Sequence, residues 1–211
     1  MTVAEPKTIE SSAAKRKQIL EGARRAFAEF GYERASMDLV ASRAGVSKAT
    51  VYNHFQDKRA LFFATFLEVT GDLRGRIAEV FESQTGDAAK DLQRVGEHFL
   101  EVLLAPATIS LHRLLMAEVA RFPELGQALY QQGARSMIQW VATYLERQHA
   151  SGALLVEDPA LASKQFLALC QVDLVTQCQL GITSRITARK IRASVANAVH
   201  AFLRAHHPNH E

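Results

Sequence analysis

The stretch from Val40 to Phe55, "VASRAGVSKATVYNHF", decides how the first part of the chain folds. A helix that crosses a second helix after a tight turn needs a small residue where the backbones approach and a glycine where the chain turns left-handed. It also needs an apolar anchor on the second helix. Ala41, Gly45 and Val51 supply these at spacings of four and six. Ser36 and Ser47 stand where N-caps for the two helices are expected. That spacing predicts a helix-turn-helix. In such a unit the second helix enters the DNA major groove, its N-terminal residues nearest the base edges. Lys48, Thr50, Tyr52, Asn53 and His54 are what this helix would present. Lys48 can reach a phosphate or a guanine edge, Thr50 a phosphate or a thymine methyl, and Asn53 an adenine edge. Tyr52 and His54 can donate to phosphate oxygens, the helix start at Ser47 favours a phosphate, and Lys58 adds charge at the flanking backbone.

Working outward, residues 1–12 carry few large apolar groups and read as a disordered arm. From Ala13, the residues Ile19, Leu20, Ala23, Ala26, Phe27 and Phe30 recur at helical spacing, and Gly31 stands at the expected stop. Three short helices therefore fill the first 55 residues, within a DNA-binding domain of residues 13–58, and a fourth starts near Asp57 and runs past Leu61, Phe62, Phe66 and Val69. Beyond Gly86 the pattern stays helical, with breaks at Pro106, Pro123, Gly152–Pro159 and Gly181–Ser184, and no period-two alternation is sustained. The chain is expected to be all-α, with residues 59–206 forming a larger helical domain and 207–211 a tail. Pro159–Leu180 reads as one helix apolar nearly all round, and the last helix, from Thr187, carries Ile191, Val195, Ala198, Val199 and Phe202 in a stripe. These two helices meeting their symmetry mates would build a four-helix dimer seam from Phe166, Cys170, Asp173, Leu174, Ile191, Val195, Val199 and Phe202. Packing within the monomer accounts for the same periodicity.

Composition narrows the function classes. The chain has 211 residues, 48% of them hydrophobic and 22% charged, which is a globular balance. Its apolar runs are too short for a bilayer about 30 Å thick, so a cytoplasmic protein is expected. The net charge of +3 is unevenly spread, because residues 1–60 hold 11 Lys and Arg against 7 Asp and Glu. A basic excess at one end is the footprint of a phosphate-binding surface, or of a merely solvated one. Cys170 and Cys178, eight positions apart on a helix, would lie about 12 Å apart, beyond disulfide reach. Free thiols fit a reducing compartment, with pairing across a dimer as a redox sensor the alternative. No Gly-rich phosphate loop, nucleophile elbow or zinc-protease helix occurs, so neither an enzyme nor a cofactor is expected. The histidines of "HHPNHE" read as solvent-exposed rather than as metal ligands.

From Ile19 to Phe66, "ILEGARRAFAEFGYERASMDLVASRAGVSKATVYNHFQDKRALFFATF" resembles the DNA-binding domain of TetR-family transcriptional regulators. The resemblance lies in the "FAEFGY" helix end, the "VASRAGVSKATVYNHF" core and the "DKRALF" entry to the fourth helix. It implies an all-helical homodimer, usually a repressor, whose larger domain dimerises and binds an effector. Matched by position, it places Ser36, Lys48, Thr50, Tyr52, His54 and Lys58 at DNA-contacting places and Asn53 at a variable one. The segment "HRLLMAEVARFPELGQALYQQG" resembles one subgroup, the AefR-like regulators, which implies a small hydrophobic effector.

Candidates for an effector pocket are the large or polar residues Phe66, Leu103, His112, Leu115, Met116, Trp140, Tyr144, Phe166 and Cys170, with ordinary core packing the plainer reading. Asp173 amid apolar neighbours calls for a partner, either across a dimer seam or on a ligand. The expected function is a repressor released from a pseudo-palindromic operator. The alternatives are a ligand-independent or chromosome-organising DNA-binding dimer controlled by a protein partner, and a helical enzyme with an accessory DNA-binding unit.

Overall fold

Every regular element among the described residues is a helix. The computed structural model describes residues 6–68, 85–183 and 186–208, with side chains in the first helix from Ser12 onward. The chain forms two units: residues 1–69 with 113–126, and residues 70–112 with 127–211.

The first unit begins with α1 (Pro6–Arg34), broken at Gly31, whose φ of 73° only glycine adopts without strain. The stop expected at Gly31 is there. The helical backbone reaches back to Pro6, however, so residues 6–12 of the expected disordered arm are helical. Proline suits a first helical position because no N–H is needed there. Next come α2 (Met37–Ala44) and α3 (Lys48–His54). Ser36 caps α2 by accepting from the Leu39 N–H, and Ser47 caps α3 by accepting from the Thr50 N–H. Between them Gly45 takes a left-handed conformation, φ 63° and ψ 38°.

The helix α4 covers 58–68, so the boundary expected after residue 58 falls at its start and α4 belongs to the first unit. Val69 lies outside the described residues. Ile19, Ala23, Phe27, Val40, Val51, Leu61 and Phe62 are all buried. The crossing of α1 over α2 depends on Gly22, where a Cβ would stand 2.7–2.8 Å from the Cβ and backbone of Ala44. An aromatic cluster closes the unit: Phe27 meets Phe62 edge-on at 4.9 Å, and Tyr32 lies 4.8 Å from Phe62 and 5.1 Å from Phe122. Arg121 lies over Tyr32 and Phe122 and pairs with Glu33, while Arg59 lies over Phe63 and Phe122 and pairs with Glu124.

The remaining helices are α5 (Ala88–Leu103), α6 (Pro106–Glu118), α7 (Pro123–Leu129), α8 (Arg135–Ala150), α9 (Pro159–Gln171), α10 (Leu174–Gln179) and α11 (Ala188–Ala205). A π-helical turn, Tyr130–Ala134, joins α7 to α8. Helices α5, α8, α9 and α11 surround the core of the second unit. Its buried members include Leu92, Val95, Val141, Leu145, Phe166, Val195 and Phe202. Helix α5 approaches its neighbours at Gly96, where a Cβ would stand 2.6 Å from Val195 Cγ1 and 3.1 Å from Cys170 Sγ.

Two expectations change here. Pro159–Leu180 is two helices rather than one, because the chain turns sharply at Asp173, with φ 67° and ψ −49°. The Leu174 N–H donates to the Val172 carbonyl at 2.8 Å, closing a three-residue γ-turn. Most residues of the expected dimer seam also pack within the chain. Phe166, Cys170, Ile191, Val195, Val199 and Phe202 are buried inside a single chain and leave little surface for a partner. The stripe on α11 faces α5 and α9. Leu174 is half-buried against the same core, and Asp173 is exposed, its carboxylate accepting from Gln177 Nε2 at 2.6 Å.

Candidate nucleic-acid interface

Helix α3 is held by one anchor and presents the rest of its surface. Val51 is fully buried, Phe55 behind it is buried, and the α3 residues Lys48, Tyr52 and Asn53 are exposed. Tyr52 keeps 46% of its surface. His54 and Thr50 are half-buried. The Ser47 and Thr50 hydroxyls lie 2.7 Å apart and share a hydrogen bond. The two caps fix where α2 and α3 begin, and Gly45 fixes the angle between them.

Lys48 projects from the first turn of α3, and its ammonium sits on the Asp38 carboxylate of α2, 2.8 Å from Oδ1 and 3.0 Å from Oδ2. That hydrogen bond and charge raise the Lys48 pKa above its ordinary value. Sequence reasoning passed over Asp38, because only the helix-turn-helix crossing brings a residue ten positions away into contact. Arg16 from α1 stacks over Phe55 at 5.5 Å and pairs with Glu68, and Gln18 Nε2 donates to the Ala44 carbonyl at 2.7 Å. These contacts brace the turn and the far end of α3 from behind.

Lys58 is differently placed from what its phosphate-contacting role predicts. Its ammonium donates to the Tyr32 and Glu33 carbonyls at 3.0 and 3.1 Å and lies 4.4 Å over the Tyr32 ring. The end of α1 leaves free carbonyls, and Lys58 satisfies two of them.

The residues expected at an effector pocket are drawn from both units. Phe66, Leu115 and Met116 belong to the first unit, while Leu103, His112, Trp140, Tyr144, Phe166 and Cys170 belong to the second. Phe66 and Leu115 are buried, and Met116 is exposed. Tyr144, Phe166 and Cys170 lie in the core of the second unit, with Leu103 and Trp140 partly buried against it. The Tyr144 hydroxyl donates to Asp91 Oδ2 at 3.3 Å, and Asp91 Oδ1 also accepts from the Thr85 N–H and hydroxyl, both at 2.8 Å. This buried carboxylate is therefore satisfied, and burial beside it raises the Tyr144 pKa. Burial lowers the pKa of half-buried His112, whose Nδ1 lies 3.4 Å from Gln179 Nε2. Burial pushes the Cys170 thiol up to about 12, and both cysteines are free. Among the described residues no group of three or more His, Cys, Asp and Glu is placed to hold a metal ion, and no single helix is long and apolar enough to cross a membrane.

A capped helix-turn-helix on a rigid aromatic base, followed by a separate helical unit, defines a DNA-binding regulator of the helix-turn-helix class. Residues 19–65 match the family of bacterial regulatory proteins named for TetR, and residues 90–208 match the AefR-like transcriptional repressor C-terminal domain. The chain belongs to the TetR family, with an AefR-like C-terminal domain, and is a transcriptional regulator rather than an enzyme. It is 50% identical over 58 residues to the HTH-type transcriptional repressor Rv1474c of Mycobacterium tuberculosis, a match spanning 28% of this chain and 31% of that protein. Among solved structures, one from Mesorhizobium loti assigned to the TetR-family regulators shares 28% identity at TM-score 0.81, covering 92% of this chain and 98% of that one. The flavonoid-responsive regulator FrrA shares 27% identity at TM-score 0.74, covering 94% and 100%.

Proposed function

We propose that the protein is a cytoplasmic, homodimeric repressor that leaves its operator when a small hydrophobic effector binds the second unit. The observation that carries the DNA-reading part is the outward set on α3: exposed Lys48, Tyr52 and Asn53 around the single anchor Val51. Two such helices in a two-fold dimer would meet major grooves about 34 Å apart, which calls for a pseudo-palindromic site. Ser36, Ser47, Thr50 and His54 supply backbone contacts around them. Lys58 contributes by holding α1 to α4 rather than by touching phosphate.

Dimerisation is assigned to the outward face of α9 and its exit, where Leu161, Leu169, Val172, Leu180 and Ile182 are exposed, the last two at 71% and 70%. The AefR-like second unit supports an effector, and the likeness to a flavonoid-responsive regulator supports a planar aromatic one. Such a ligand acts only through different affinities for the bound and released conformers, a coupling of about 1–3 kcal/mol.

The test is a gel shift with a duplex selected by the protein from a random-sequence library, in about 0.1 M salt. Tyr52→Ala is expected to weaken binding to every sequence, and Lys48→Ala to change preference among sequences. Undiminished binding by both variants would remove α3 from the interface. Titrating flavonoids and other planar aromatics into the complex tests release, and DNA binding indifferent to all of them would favour regulation by abundance or a protein partner.

A further inference from the structure

The proposed contact of Lys48 with DNA meets an obstacle in the free protein, because its ammonium straddles both oxygens of Asp38. Both side chains are well exposed on the surface that α2 and α3 share. A phosphate or base oxygen that takes up the Lys48 ammonium at hydrogen-bond distance must therefore approach the Asp38 carboxylate as well. The two anions would then compete for one cation. Asp38 itself is anchored in the first turn of α2, one residue after Met37, which is buried. The turn keeps the Asp38 backbone beside α3.

Resting on the reading of α3 as the DNA-contacting helix, we infer that Asp38 is a specificity-determining residue that holds Lys48 in reserve. On unrelated DNA the Lys48–Asp38 pair stays closed and the lysine contributes little. On the operator a guanine edge displaces the carboxylate, and Lys48 swings across. An exposed ion pair is weak enough to be exchanged in this way. Asp38 thereby lowers affinity for all DNA, and lowers it most where no good acceptor replaces it. Specificity is a ratio of affinities, so a residue that penalises the wrong partner raises it.

The chemistry fits a lysine better than an arginine at this place. An ammonium is a compact charge on a flexible stem and can move between two acceptors without breaking a planar, bidentate geometry. The neighbouring cations are committed elsewhere: Arg43 pairs with Glu29 and lies over Phe30, and Arg16 is held by Phe55 and Glu68.

The experiment is a double-mutant cycle of Asp38→Asn and Lys48→Ala, read as affinity for the selected operator duplex and for a scrambled duplex across a salt series. Asparagine keeps the shape and leaves the helix start intact, which circular dichroism checks. Asp38→Asn is expected to tighten binding to scrambled DNA by up to about fivefold, with a smaller gain on the operator, so the specificity ratio falls. The salt slope on scrambled DNA should steepen by about one phosphate contact. In the Lys48→Ala background most of this effect should vanish. Three outcomes overturn the inference while leaving α3 in the groove: no effect of Asp38→Asn, an equal effect with and without Lys48, or a loss of operator affinity. The second would reduce Asp38 to simple repulsion, and the third, confined to one base pair, would make it a direct reader of a cytosine amino group. If Lys48→Ala leaves both affinities unchanged, the lysine has no contact to give, and the reading of its role fails together with the inference.

Discussion

Single side chains in this protein do work that their chemistry alone does not announce. Lys58 has the charge and the position of a phosphate-binding lysine, yet two of its three donors are used on the open end of α1. Lys58→Ala is therefore expected to lower the melting temperature by an amount matching about 1 kcal/mol, while the slope of DNA affinity against salt stays as it is. A slope reduced by about one, with stability unchanged, would return Lys58 to the phosphate backbone. Cys170 shows the opposite case, a nucleophile disarmed by its surroundings. Its pKa is pushed up to about 12 by burial in the core of the second unit. Alkylation by iodoacetamide at pH 8 should reach it only after unfolding, and rapid labelling of the native protein would revive a redox role. His112 gives a pH dependence with a definite sign. Burial lowers its pKa below the ordinary 6.5, so the unfolded chain binds a proton that the folded chain resists. Stability should fall as pH drops below about 6.5 and be flat above it with respect to this residue. His112→Gln should shallow that decline in a thermal-melt series from pH 7.5 to 5.

At the scale of elements, what the sequence made legible was local. Ser36, Ser47 and Gly45 each act on backbone groups within four or five residues of themselves, so their caps and turn follow from spacing alone. The break at Asp173 carried no such mark, since "LCQVDLVTQC" has neither glycine nor proline and aspartate is an uncommon residue at positive φ. Gly22 and Gly96 were equally silent, because their reason lies in helices distant along the chain. Gly22 abuts Ala44 and Gly96 abuts Val195. Gly22→Ala would drive a methyl group into the backbone of α2, and the expected cost is about 1–3 kcal/mol despite alanine's better helix propensity. Because Gly22 contacts no proposed DNA-facing residue, loss of operator binding should track loss of helix content on heating. A variant as stable as the parent would mean that α1 and α2 can separate at little cost.

At the scale of the whole molecule, periodicity found which helix faces are buried but not what buries them. The stripe Ile191–Val195–Val199–Phe202 is as compatible with a partner subunit as with α5 and α9, and the folded chain uses it internally. That moves the proposed seam to the residues left outside: Leu161 and Leu169 on α9 and Val172 just past its end, exposed although apolar. Scattered exposed leucines need no explanation, but two on one helix, followed by Val172, Leu180 and Ile182 beyond it, give this stretch a free-energy reason to be covered. Leu169→Glu puts a charge on that face without touching the core and should turn the dimer into a folded monomer by sedimentation, with its melting curve little changed at the monomer level. Phe166→Ala, three residues away but buried, should do the reverse: a loss of about 3–5 kcal/mol in stability with the dimer retained wherever the protein is folded. Since a pseudo-palindromic site rewards two recognition helices held together, the Leu169→Glu monomer should keep only weak, half-site affinity for DNA. A Leu169→Glu protein that still sediments as a dimer would place the seam on another face, and with it the two-fold axis that sets operator spacing.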